Sequence, residues 1–187
     1  MSDPITVFFP FLTLLGTIIL CLGIEAFDID RRIVSPIAII GTLVALATVV
    51  LGITQQEKTY LFGNPTDLLA LSTSGGGIFV IDNFYRFFAI TFLIVLLFVI
   101  ASSIEYMNGE RNLGIYYILL VFATLGMMLV AAANDILAIF VAWELGSLPV
   151  YTLVAFQKAK AETSESALKM FLIGAMSSAF ILFGISL

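Results

Sequence analysis

Six apolar runs, each long enough to cross a membrane, constrain this chain more than anything else in it. They cover residues 5–24, 33–53, 87–104, 113–133, 136–156 and 167–187, and about 20 apolar residues span the hydrocarbon layer of a bilayer. Hydrophobic residues make up 61% of the 187 and charged residues 11%, where a soluble domain carries about 25% charged. Lipid is therefore the solvent. Backbone polar groups in lipid must pair within their own segment, so the runs predict an all-α, polytopic transmembrane helical bundle, a single domain over residues 1–187. The acidic start, Met1-Ser2-Asp3-Pro4, lacks the basic region of a signal peptide, and the first run is read as a retained helix.

The connections predict an orientation. Arg31, Arg32, Arg111, Lys158 and Lys160 fall on one side of the alternating spans; Asp3, Lys58 and the Asn134-Asp135 turn fall on the other. Basic loops stay in the cytoplasm, which places the N-terminus outside it in a multi-pass protein of the cell's inner membrane. Residues 54–86 are too long for a simple turn. Within them Ser72-Thr73-Ser74-Gly75-Gly76-Gly77 reads as a turn and Ile78 to Ile81 as a short strand, which predicts a hairpin on the extracytoplasmic surface. Asp82 and Arg86, four apart at the start of the third span, either pair with each other or serve as a solvated helix cap.

Composition removes several chemistries. The chain has no histidine and one cysteine, Cys21, inside the first span. Disulfides, Cys/His zinc sites, histidine-ligated haem and Ser-His-Asp hydrolysis are all excluded, and no metal site is expected. Scattered Lys and Arg residues predict no nucleic-acid partner. Carboxylates, lysines, hydroxyls and water remain.

Two spans contain an ionisable residue: Glu144 in the fifth and Lys169 in the sixth. Glu144 stands eight residues into its run, about 12 Å from one end and about 18 Å from the other at 1.5 Å per residue. A charge near the midplane costs about 2.5–3.5 kcal/mol on insertion scales. Such residues mark ion pathways, proton relays or buried pairs; the structural alternative is a protonated acid bonded to a neighbouring helix. Ser147 and Tyr151 follow at i+3 and i+7, on the same face, where hydroxyls beside a carboxyl can order water for a relay. Pro149 donates no N–H, which frees the Leu145 carbonyl. Gly146 and Ser147 also permit close helix packing. Lys169, one turn into its span, either couples to Glu144 or snorkels to the cytoplasmic surface. The offset between them, about 10 Å by helical rise, predicts a water-bridged, electrostatically coupled pair.

The run Trp143-Glu144-Leu145-x-Ser147-Leu148-Pro149-x-Tyr151, then Glu165-x-Ala167-x-Lys169-x-Phe171, then Ser177-Ser178-x-Phe180-x-Leu182-Phe183-Gly184 resembles the antiporter-like N subunit of complex I-type oxidoreductases. Ala132-Ala133-Asn134-Asp135 and Phe79-x-Ile81-Asp82-x-Phe84 fit it too. The resemblance implies a proton-translocating subunit of the membrane arm, coupling electron transfer to quinone to proton pumping, with Glu144 and Lys169 in the translocating roles and Ser147, Pro149 and Tyr151 supporting. It implies no flavin, iron–sulfur or quinone chemistry and no other cofactor in this chain, because sister subunits carry the redox steps. The implied partners are the other membrane-arm subunits, further antiporter-like ones among them, and the lipid bilayer. It also implies a subunit of about 14 membrane-spanning helices, of which these are the first six. The stop at Gly184-Ile185-Ser186-Leu187, inside an apolar run without a polar flank, predicts the same. A subunit of a multi-subunit cation/proton antiporter or membrane-bound hydrogenase is the first alternative. A non-transporting scaffold, in which both charges merely join helices, is the second.

Overall fold

The computed structural model describes residues 4–27, 33–52, 59–61, 77–107, 112–156 and 161–187. Six helices follow in order: α1 (Pro4–Ala26), α2 (Val34–Leu51), α3 (Asn83–Tyr106), α4 (Leu113–Ala132), α5 (Ile136–Val154) and α6 (Ala161–Ser186). All six are long and apolar enough to cross a membrane, which makes this the polytopic helical bundle that the apolar runs predict. Two short strands, β1 (Thr59–Leu61) and β2 (Phe79–Ile81), lie between α2 and α3.

Local chemistry sets several boundaries. Asp82 is extended (φ −128°, ψ −171°), and its side chain accepts a hydrogen bond from the Tyr85 N–H at 2.9 Å, capping α3. Arg86 is buried, its guanidinium donates to Asn83 Oδ1 at 3.0 Å, and the Asp82 charge acts on it electrostatically. Asp82 therefore caps the helix and also interacts electrostatically with Arg86, which is covered rather than solvated. Pro36 stands in the first turn of α2, where its missing N–H would lack an intrahelical acceptor anyway.

Strands β1 and β2 pair antiparallel with Thr59 opposite Ile81 and Leu61 opposite Phe79. The hairpin is therefore present, with β2 one residue shorter than the predicted strand and with a partner strand that the sequence did not indicate. Its predicted turn, apart from Gly77, lies outside the described residues. So do Asp3, Arg31, Arg32, Lys58, Arg111, Lys158 and Lys160, which underlie the orientation reading. The turn between α4 and α5 clasps the hairpin. Asn134 donates its backbone N–H to the Ile78 carbonyl at 2.8 Å and its Nδ2 to the Gly77 carbonyl at 2.9 Å, and Phe79 bridges Ala133.

Helices α1 to α4 form one group, with α4 packed on α1, α2 and α3; α5 docks on α4, and α6 packs chiefly on α5. The buried stripes keep helical spacing: Ala38, Thr42, Ala45 and Val49 on α2, and Ala89, Leu93, Leu96, Ile100 and Ser103 on α3. Four serine and threonine hydroxyls inside the bundle bond to their own helix. Thr17, Thr42, Ser103 and Thr124 each donate to a carbonyl four residues back, which satisfies them without water. At the other end of the bundle from the clasp, Glu25 Oε2 accepts from the Gly114 N–H at 3.1 Å. That places a carboxylate at the positive end of α4.

Candidate functional site

The site begins with the packing of α5 on α4. The buried positions of α5 are Ala138, Ala142, Gly146 and Pro149, a stripe of small residues with a proline at its end. Gly146 lies directly on Gly126 of α4; a Cβ on Gly126 would collide with the Gly146 backbone. Two glycines let these backbones approach more closely than any side chain would permit. This contact fixes the rotation of α5, and the rotation turns the flank carrying Glu144 towards α6.

Glu144 is half-buried, eight residues from the start of α5 and ten from its end, so about 12 Å and about 15 Å along the helix axis from either terminus. Its Oε1 accepts a hydrogen bond from Ser178 Oγ of α6. Ser178 also lies 3.1 Å from the Gly174 carbonyl oxygen, one turn back on its own helix. Gly174 is where Tyr151 of α5 rests: a Cβ there would meet the tyrosine hydroxyl, and the tyrosine ring stands edge-on to Phe171 at 5.9 Å. Glu144, Ser178, Gly174 and Tyr151 thus form one continuous patch across the α5–α6 interface.

A cavity of about 390 Å³ opens beside this patch, lined by Ser147, Tyr151, Gly174, Ser177 and Ser178 among others. It is large enough for several waters, each of which occupies about 30 Å³ in the liquid. Its polar lining is hydroxylic. Ser147 and Ser177 donate to carbonyls of their own helices, Trp143 at 2.8 Å and Ile173 at 2.9 Å, so their lone pairs are left to accept. Glu144 does not line the cavity directly; Ser178 stands between the two.

The five residues singled out from the sequence therefore divide. Ser147 and Tyr151 line the cavity, and Glu144 lies beside it behind Ser178. Pro149 is buried on the α4-facing stripe of α5, away from the cavity lining. Lys169 is elsewhere: its Nζ pairs with Glu165 Oε1 at 2.6 Å, and both side chains are about two-thirds exposed (69% and 66%). Its direct partner is the glutamate four residues before it on the same helix, the favoured arrangement for such a pair. Ser178, the residue that does meet Glu144, was part of the sequence resemblance but was given no role. A Ser-Ser pair inside an otherwise apolar run was the available signal.

The fold defines a multi-pass helical membrane protein with a carboxyl–hydroxyl patch between its fifth and sixth helices. Residues 133–187, which contain all of the patch, match the family described as NADH:quinone oxidoreductase/Mrp antiporter, TM. Among relatives, the chain is 36% identical over 173 residues to the F(420)H(2) dehydrogenase subunit N of Methanosarcina mazei, covering 91% of this chain and 33% of the relative. It is 32% identical over 177 residues to the NADH-quinone oxidoreductase subunit N of Rhodospirillum rubrum, covering 94% of this chain and 34% of that one. The chain spans about a third of the length of these relatives. A chain of respiratory complex I from Thermus thermophilus superposes with a TM-score of 0.71 at 25% identity, over 95% of this chain and 35% of that chain. A chain of the membrane-bound sulfane sulfur reductase, an archaeal respiratory membrane complex, superposes at 0.80 with 19% identity over 98% and 37%, and shares the fold. The chain is a multi-pass membrane protein similar to subunits of complex I-type oxidoreductases.

Proposed function

We propose that this chain belongs to a proton-translocating membrane-arm subunit of a complex I-type oxidoreductase, with Glu144 as the residue that takes up and releases the proton. One observation carries this reading: a carboxyl near the middle of a membrane-spanning helix, bonded across an interface to a hydroxyl that borders a mostly apolar cavity carrying the hydroxyls of Ser147, Tyr151 and Ser177. A carboxyl in lipid needs a reason to be there, and a water-sized cavity beside it supplies a route for protons. The relatives, described as subunits N of quinone and F(420)H(2) oxidoreductases, support the coupling to electron transfer. The neighbouring subunits of such a complex are the partners, and the redox cofactors belong to them.

In this reading Ser147 and Tyr151 hold water along the cavity, and Pro149 leaves the Leu145 carbonyl without a backbone donor four residues on. Lys169, in its exposed pair with Glu165, marks the cytoplasmic access end of α6. The N-terminus and the β1–β2 hairpin face away from the cytoplasm. Glu144→Gln keeps the shape and removes the proton site. In inverted vesicles carrying the assembled complex, it abolishes quinone-dependent acidification while the chain still inserts. Unchanged pumping at unchanged turnover would sink the reading.

A cation/proton antiporter subunit is the second reading, favoured by a family that takes in both kinds of protein over residues 133–187. Ion exchange that runs without electron donor and quinone in the same vesicles selects it.

A further inference from the structure

Ser178 Oγ faces two acceptors at once: Glu144 Oε1 across the interface, and the Gly174 carbonyl oxygen at 3.1 Å on its own helix. A hydroxyl has one proton and two lone pairs, so it cannot donate to both. The charge on Glu144 decides which it serves. An ionised carboxylate only accepts, and the Ser178 proton then points at Oε1. A protonated carboxyl has its own O–H to place; it donates to Ser178 Oγ, and the serine proton turns to the Gly174 carbonyl. Both arrangements satisfy every polar group involved.

We propose that Ser178 is a positioning residue for Glu144: a hydroxyl rotor that reverses its hydrogen bond with the charge on the carboxyl and holds it against α6 in either state. The proposal rests on the reading that Glu144 changes protonation. The carboxylate gains one proton, and Ser178 carries one proton before and after. The neighbouring hydroxyls show what sets Ser178 apart. Ser147 and Ser177 bond back to their own helices and meet no acid; Ser178 makes the same backbone approach and meets one. Among the described residues, no other charged side chain bonds to Glu144 or Ser178. Helix α4, packed behind α5, carries no ionisable residue besides Tyr116 and Tyr117, Tyr151 rests on Gly174, and Glu165 and Lys169 of α6 pair with each other.

Infrared difference spectroscopy on the assembled complex, between acidic and alkaline conditions, tests this with four variants. In the wild type a protonated-carboxyl C=O band is expected that E144Q deletes. In S178A that band moves to higher wavenumber, because the acid loses the acceptor for its proton, and pumping falls about tenfold, the loss expected of one charged hydrogen bond. S178T, whose hydroxyl also reaches back to the carbonyl four residues before, restores both band and rate. S178C keeps the volume with a much weaker donor and shifts the band in the same direction, so it carries the test if S178A does not assemble. A band that E144Q deletes but that neither S178A nor S178C moves overturns the rotor and leaves the proposed function standing. A spectrum with no E144Q-sensitive band overturns both.

Discussion

Glycines at three positions face quite different neighbours, and the difference predicts what each tolerates. A methyl on Gly126 runs into the backbone of Gly146, which cannot move without displacing a helix; a methyl on Gly174 runs into the end of the Tyr151 side chain, which can swing. Gly126→Ala is expected to destabilise the bundle by about 1–3 kcal/mol, the usual range for overpacking, and Gly174→Ala by less. Thermal unfolding in detergent, followed by tryptophan fluorescence, ranks the two, and equal losses would contradict the geometry. Gly146 is recognisable in the sequence as a small residue suited to helix contact, but its partner is not. Which of the α4 glycines it meets depends on the crossing geometry and rotation of two helices, which no local pattern encodes. The same gap hid the role of Ser178, which stands 34 residues from the glutamate it bonds. Glu144 itself is legible because a carboxylate in lipid is conspicuous wherever its partner lies.

The helices differ in how they are held. Helix α3 is capped by Asp82, and the β1–β2 hairpin before it is fastened to the α4–α5 turn through Asn134. Asn134→Ala keeps the backbone bond to Ile78 and removes the side-chain bond to Gly77. Amide hydrogen exchange at Phe79–Ile81 is expected to quicken, while exchange in the middle of α3 stays as it was. Helix α6 depends chiefly on α5. Its Lys169–Glu165 pair is exposed, and pairs of this kind contribute about 0.2–1 kcal/mol or less, so Lys169→Ala leaves stability within that range. The six helices could be read from apolar length alone, because lipid forces a long apolar run into a helix. Strand β1 could not be. Thr59-Tyr60-Leu61 is three residues long, and it becomes a strand only because β2 offers it an edge.

Across the whole molecule, the connections between successive spans alternate between two ends, and the hairpin and the α4–α5 turn share one of them. A membrane-impermeant thiol reagent distinguishes the ends in a Cys21→Ser background, since Cys21 is the one native thiol. Asp135→Cys, at the exposed turn, is expected to label in intact cells, and Glu105→Cys, at the exposed far end of α3, to label only in inverted vesicles. The reverse pattern would overturn the orientation. The clasp also bears on how such a chain is made. Phe79 meets Leu61 early in synthesis, but its other neighbour, Ala133, leaves the ribosome roughly 54 residues later, about 3–10 seconds at a rate of about 5–20 residues per second. At the start of that interval two helices precede the open strand edge, the third and fourth are made during it, and the clasp closes only when the fourth has crossed. Its closure is a timing mark within the polypeptide, set when the fourth helix is in place.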